Sequence, residues 1–216
     1  MKILVTSDFH GDFRCMRSIV EYAVKNPVEG IFICGDLVEE YDGESFSLQQ
    51  QKQLKDYLKL RELFDRTNTK WYYIFGNNDL FVVPKDDEHY LPSGNKLFFG
   101  YSLIPFEMIV APKSCKDNEK DIAYSLSILS ITEKSIVVAH QPPYGCLDKN
   151  SDGENCGSIS VREMILKNRP YIYLCGHMHE ARGTQYLGET LVLNCSIGDG
   201  HHAFVIDLED RGVIEF

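Results

Sequence analysis

The chain has 216 residues, 44% of them hydrophobic and 25% charged, a globular composition that excludes a disordered or fibrous protein. At this length one domain over residues 1–216 is the simplest division. The net charge of −10 repels polyanions and argues against a long nucleic acid as partner, and no apolar run reaches the roughly 18 residues of a membrane span, so a soluble, cytoplasmic protein is expected.

From the start, KILVT reads as a buried strand, after which Asp12 caps a helix whose apolar positions Met16, Ile19, Val20, Ala23 and Val24 recur at helical spacing. IFIC is the second strand. A polar stretch from Glu39 to Gln53, read as a solvated face, leads into a helix carrying Leu54, Leu58, Leu60 and Leu63, and WYYIF is the third strand. Residues 84–112 are broken by Pro, Gly and Asn and hold short strands around LFFG and SLIPF.

A helix over 119–129 precedes the strand SIVVA. Residues 141–157, rich in Pro, Gly, Asp, Asn and Ser, form a loop that begins beside a candidate ligand and can cover it. Ser160 then opens a short helix with Val161, Met164 and Ile165, and the strands YIYLC, TQYL, ETLVLN and AFVID follow. Buried parallel strands first and antiparallel pairs last suggest two packed sheets with helices outside.

The seven cysteines, Cys15, Cys34, Cys115, Cys146, Cys156, Cys175 and Cys195, include no CxxC pair and read as reduced thiols. Cys34 and Cys175 sit inside apolar strands as small hydrophobes, whereas Cys146 and Cys156 share a polar loop and can pair or bind metal.

Five of the apolar strands end on a metal-ligand type. Asp8 and His10 follow KILVT, Asp36 follows IFIC, Asn77 follows WYYIF, His140 ends SIVVAH, and His177 and His179 follow YIYLC. Alternation in an extended chain would put the members of each i, i+2 pair on one side. Carboxylate, imidazole and carboxamide donors suit Mn, Fe, Ni, Zn or Co, and seven positions are enough for two ions. Asp36, standing alone after its strand, is the natural bridge between ions roughly 3.5–4 Å apart. Two such ions, two aspartates and a bridging hydroxide leave a charge of about +1, which attracts a phosphate in an otherwise acidic protein.

In order, SDFHGD, GDLVE, GNND, AHQPPYG and GHMHE resemble the five motifs of the calcineurin-like metallophosphoesterases, and the tail ETLVLNCSIGDG is similar to that of small prokaryotic Icc-related phosphoesterases. The resemblance implies a four-layer α/β/β/α sandwich of two mixed sheets. It implies that Asp8, His10 and His179 bind one divalent ion, that Asn77, His140 and His177 bind a second, and that Asp36 bridges them. The activity implied is hydrolysis of a small phosphate ester by in-line attack of a metal-bridging hydroxide.

The pattern breaks at one position. Where many family members place a histidine after GN, this chain has Asn78, and Asp79, which in the family orients that histidine, loses its partner. An amide is no general acid at neutral pH, although Asn78 can donate a hydrogen bond to a phosphoryl oxygen. Substitution at this site occurs in small relatives that favour diesters, so a phosphodiesterase is expected, with manganese among the fitting metals. Two other readings use the same fold: a protein-interaction scaffold like the retromer subunit, in which ligands are lost, and a nuclease. His89, His201 and His202, Arg14, Arg182 and Tyr144 are weaker candidates for contact with substrate.

Overall fold

A computed structural model describes residues 1–41, 43–80, 82, 87–93, 96–110, 118–198 and 202–216. Along the chain come β1 (Lys2–Thr6), α1 (Phe13–Lys25), β2 (Gly30–Cys34), α2 (Phe46–Phe64), β3 (Trp71–Ile74), β4 (Lys96–Phe98), β5 (Tyr101–Phe106) and α3 (Glu119–Ser127). They are followed by β6 (Ser135–Ala139), α4 (Ile159–Asn168), β7 (Ile172–Cys175), β8 (Gly183–Leu187), β9 (Thr190–Asn194), β10 (Phe204–Asp207) and β11 (Val213–Glu215). Among the described residues these strands form a five-stranded sheet, β11-β10-β1-β2-β3, and a six-stranded sheet, β4-β5-β6-β7-β9-β8.

Both sheets are mixed. β1, β2 and β3 run parallel in one, and β5, β6, β7 and β9 in the other. Antiparallel neighbours close the flanks: β10 against β1 and β11, β4 against β5, and β8 against β9.

The two-residue period of a strand divides the core into three layers of side chains. Leu4, Ile31, Ile33, Trp71 and Tyr73 face α1 and α2, where they meet Met16, Ile19, Tyr57, Leu60 and Phe64. Their neighbours Ile3, Val5, Phe32, Cys34 and Ile74 face the second sheet and meet Ile136, Val138, Ile172, Leu174 and Leu193. Beyond that sheet, Val137, Tyr173, Cys175 and Val192 pack on Ile122, Leu126, Val161 and Ile165 of α3 and α4. The expected α/β/β/α sandwich is therefore the fold. Side chains such as Ile3, Leu4 and Ile136 have no exposed surface, and each contributes roughly 1.5–3 kcal/mol by burial.

The helices depart from the sequence expectation in instructive ways. Asp12 caps α1 as expected, its carboxylate accepting from Arg14 N and Cys15 N, but Val24 is exposed. α2 begins at Phe46, inside the stretch read as a solvated face, and its buried positions are Gln53, Asp56, Tyr57, Leu60 and Phe64. Leu54 and Leu58 lie outward, because Tyr57 and Phe64 fill the layer against β3 and set the phase of the helix. α3 ends at Ser127, two residues before its expected end. α4 is capped by Ser158, whose side chain accepts from Val161 N, so Ser160 is already helical. β11 was not expected; it is three residues long and gains its place by pairing with β10.

Cys146 is a buried free thiol, so it forms no disulfide with Cys156, whose Sγ donates to the Glu154 carbonyl at 3.7 Å. Cys115 and His201, together with residues 83–86, 94–95 and 111–117, lie outside the described residues. Among the described residues no helix is long and apolar enough to cross a membrane.

Candidate metal centre

The carboxyl ends of β1, β2, β3, β6 and β7 share one edge of the sandwich, and each releases its candidate ligand within a few residues of the strand end. The chain does not stay extended there. Asp8 (φ 62°), His10 (φ 44°), Asp36 (φ 51°) and His177 (φ 72°) are all left-handed, so the i, i+2 pairs converge by turning back and not by strand alternation. Such backbone costs on the order of 1–3 kcal/mol per residue and persists only where its surroundings over-determine it. Here they do: Asp8 N donates to the Gly35 carbonyl and His10 N to the Asp36 carbonyl, each at 3.0 Å.

Close packing at this edge also dictates two glycines. A Cβ on Gly76 would collide with the carboxylate and backbone N of Asp36, and one on Gly176 with Ser7 Oγ and Asp8 Oδ2. The GN and GH pairs of the sequence are therefore requirements of space at the site.

The ligand-type atoms form two trios, Asp8 with His10 and His179, and Asp8 with Asp36 and His140, the atoms of each lying within 4.8 Å of one another. His179 Nε2 is 3.3 Å from His10 Nε2 and 3.6 Å from Asp8 Oδ1. Asp36, a member of the second trio, also approaches the first, its Oδ2 lying 3.5 Å from His140 Nε2 and 3.7 Å from His10 Nε2. Asn77 Oδ1 is 3.1 Å from His140 Nε2, and the His177 ring centroid lies 5.0 Å from that of His140.

Electrostatics fit a cation. Asp8 and Asp36 are 1% and 2% exposed, two carboxylates buried side by side. Burial works against the charge on His140, but its bond to Asp36 and the charges of Asp8 and Asp36 outweigh this and raise its pKa to about 9. Burial likewise opposes ionisation of Asp36, and His140 with the Asn78 N–H more than compensates, so that carboxyl is held below its usual range. His177 is pushed down to about 4 by burial and by the charge of His140. Oxygen and imidazole donors without a thiolate match borderline divalent metals.

Asn78 and Asp79 do different work from each other. The Asn78 backbone N donates to Asp36 Oδ1 at 2.9 Å; its Nδ2 donates to Asp36 Oδ2 at 3.1 Å and sits 3.3 Å from His10 Nδ1. Its side chain is thus directed at ligands. Asp79 accepts from Leu37 N, Val38 N and Gly76 N, at 2.8, 3.2 and 2.9 Å, tying the loop after β2 to the loop after β3. Burial and the nearby charge of Asp36 outweigh those three bonds and lift its carboxyl to about 7.

Of the weaker candidates, His89 and Arg182 have structural employment. His89 stacks on Trp71 at 4.0 Å, and the His202 backbone N donates to the Phe216 carbonyl. Arg182 bonds Glu215 at 2.7 Å, reaches the carbonyls of Cys195, Ser196 and Ala203, and covers the Phe204 ring. Arg14 is 87% exposed beside Asp12, and Tyr144 is 41% exposed.

Two supporting residues escaped the sequence reading. Gln53 of α2 donates to the carbonyls of Glu39 and Asn78, at 3.1 and 2.7 Å. Asn194 ends β9 with its amide buried among loop carbonyls. The available signal was a carboxamide at the end of the apolar run TLVL, the same layout that marks the ligands.

A family model described as calcineurin-like phosphoesterase matches residues 1–181. An uncharacterized protein of Methanocaldococcus jannaschii is 24% identical over 213 residues, 91% of this chain and 88% of that protein. The crystal structure of a dimetal phosphatase from Danio rerio superposes with a TM-score of 0.68 at 9% identity, over 100% of this chain and 95% of that one. A Thermus thermophilus protein of known structure gives a TM-score of 0.67 at 16% identity, over 100% and 97%. At such identities the two structures speak to the fold.

Proposed function

The chain belongs to the calcineurin-like phosphoesterase family, and from that premise we propose that it is a metal-dependent phosphodiesterase acting on a small phosphate diester, nucleotide-like or otherwise. The observation that carries the reading is the meeting of Asp8, His10, Asp36, His140 and His179 in two trios that have Asp8 in common.

Asp8, His10 and His179 would hold one ion, and Asn77, His140 and His177 the other. Asp36 is suited to stand between them because its Oδ2 is nearly equidistant from His10 and His140. Two divalent ions so held, of Mn, Fe, Ni, Zn or Co, would lower a water's pKa toward about 7 and supply nucleophile and charge for in-line displacement.

The chain's own part is aim and protonation. His140 Nδ1 bonds the Cys34 carbonyl at 2.7 Å, which directs Nε2 toward Asp36 and Asn77. His177 N donates to Asp8, locking the last motif onto the first. Asn78, engaged with Asp36 and His10, offers no proton to a leaving group, so esters whose leaving groups depart unaided are the favoured substrates. The acidic balance favours a small substrate over a long nucleic acid, and buried thiols at Cys15, Cys34, Cys146, Cys175 and Cys195 suit a reducing cytoplasm.

The test is hydrolysis of bis(p-nitrophenyl) phosphate beside p-nitrophenyl phosphate, on chelator-stripped protein with Mn²⁺, Ni²⁺ or Zn²⁺ restored and His177→Ala as control. Metal-dependent diester cleavage that vanishes in the control is the expected result. Failure of every metal to restore activity on either ester ends the catalytic reading, and cleavage of single-stranded DNA without cleavage of a cyclic nucleotide would replace it with a nuclease.

A further inference from the structure

Asn194 ends β9 with no exposed surface, at the same edge as the ligands. Its Nδ2 donates to the Met178 carbonyl at 2.8 Å and to the Leu147 carbonyl at 3.1 Å. Its Oδ1 accepts from Ser196 N at 3.2 Å and Ser196 Oγ at 2.8 Å. Both hydrogens and both lone pairs of one amide are used.

The partners matter for where they sit. Met178 stands between His177 and His179. Leu147, left-handed at φ 54°, belongs to the loop that follows His140. Ser196 lies where the chain crosses from one sheet to the other: it bridges Ser7, and Ile197 N donates to the Ser7 carbonyl at 3.1 Å, one residue before Asp8. Asn194 thus joins three segments that each adjoin a candidate ligand.

Resting on the dimetal reading above, we propose that Asn194 is a positioning residue that sets His177 and His179 by holding the carbonyl between them. A carboxamide is the side chain that can do this. It presents two donors to two carbonyls on one side and an acceptor to a hydroxyl and an N–H on the other. A carboxylate of the same shape would oppose both carbonyls, and serine is too short to span them.

His177 and His179 are assigned to different ions, so a carbonyl held between them governs both sites together. That separates positioning from ligation. Calorimetric titration of chelator-stripped protein with Mn²⁺ compares wild type, Asn194→Ala, Asn194→Ser and His10→Ala, with Tm measured on each. In folded Asn194 variants both Mn²⁺ affinities fall together by roughly 10–100-fold, whereas His10→Ala loses one site and keeps the other. Folded variants that bind two ions as tightly as wild type overturn the proposal.

Should neither Asn194 variant fold, hydrogen exchange on the wild type decides. Adding Mn²⁺ then protects the amides of residues 145–157, which hold no ligand, in step with those of 177–182; no gain over 145–157 overturns the proposal. A wild type that binds no ion sinks the dimetal reading and this inference with it. Two tight ions in the wild type with undisturbed variants sink the inference alone.

Discussion

The backbone N–H of His177 donates to both carboxylate oxygens of Asp8, at 3.1 and 3.0 Å, across 169 residues of sequence. Asp8 is therefore at once a candidate ligand and the anchor of the loop that carries two more. Its neighbour Gly176 has no room for a side chain, because a Cβ there would strike Ser7 Oγ and Asp8 Oδ2.

Gly176→Ala should accordingly cost about 1–3 kcal/mol in stability through overpacking, and it should weaken metal binding more than an equally destabilising change in the outer helices. Urea denaturation and Mn²⁺ titration on the same protein check both halves. An alanine that leaves metal affinity intact would show that the Asp8 to His177 contact is dispensable.

Asp36 belongs to one trio and reaches His10 of the other, so Asp36→Asn should reduce bound metal from two equivalents to one or none. Activity should fall by more than the roughly 10–100-fold that loss of an outer partner costs. Elemental analysis after dialysis gives the stoichiometry. Two retained equivalents would move the bridge elsewhere.

Asn78→His should install the missing acid. Rates on diesters with poor, alkyl-type leaving groups should rise by up to roughly 10²–10⁴-fold, while p-nitrophenyl esters change little. A plot of rate against leaving-group pKa is the measurement: steep for the wild type, shallower for the variant. Parallel slopes would mean that protonation is supplied from another group.

Asp87 gives a prediction about pH and stability. Burial alone would raise its carboxyl, but bonds from Tyr57, from His89 N and from Tyr73, with the charge of Arg61, hold it below the usual range. A folded pKa below the unfolded one means stabilisation that is present above about pH 4 and is lost as pH falls through the folded value. Asp87→Asn should thus be less stable at neutral pH and show a flatter decline of stability in acid. Chemical denaturation from pH 7 down to 3 tests it; wild-type and variant curves of identical slope would refute the assignment.

The candidate site was legible in the sequence because its chemistry is local: every ligand follows an apolar strand, and those strands are parallel neighbours within each sheet, β1, β2 and β3 in one and β6 and β7 in the other, ending at a common edge. What stayed hidden depends on distant partners. Nothing in the residues around Asn194 announces that its amide reaches Met178 and Leu147, and nothing near Gln53 announces the carbonyl of Asn78. The leucines at 54 and 58 misled for the converse reason, since the phase of α2 is set by Tyr57 and Phe64 against β3. The left-handed turns at Asp8, His10, Asp36 and His177 are likewise fixed by neighbouring loops, and residue type alone does not forecast them.

The register of β1 has a consequence for biosynthesis. Its residues pair on one side with β2 and on the other with β10, Lys2 opposite Asp207 and Val5 opposite Phe204. On the ribosome the first strand therefore waits for nearly the whole chain before its second partner emerges. At 5–20 residues per second that is an interval of roughly 10–40 s. Throughout it an apolar edge lies open in the nascent protein, which makes this strand the natural place for a chaperone to bind and for misassembly to begin.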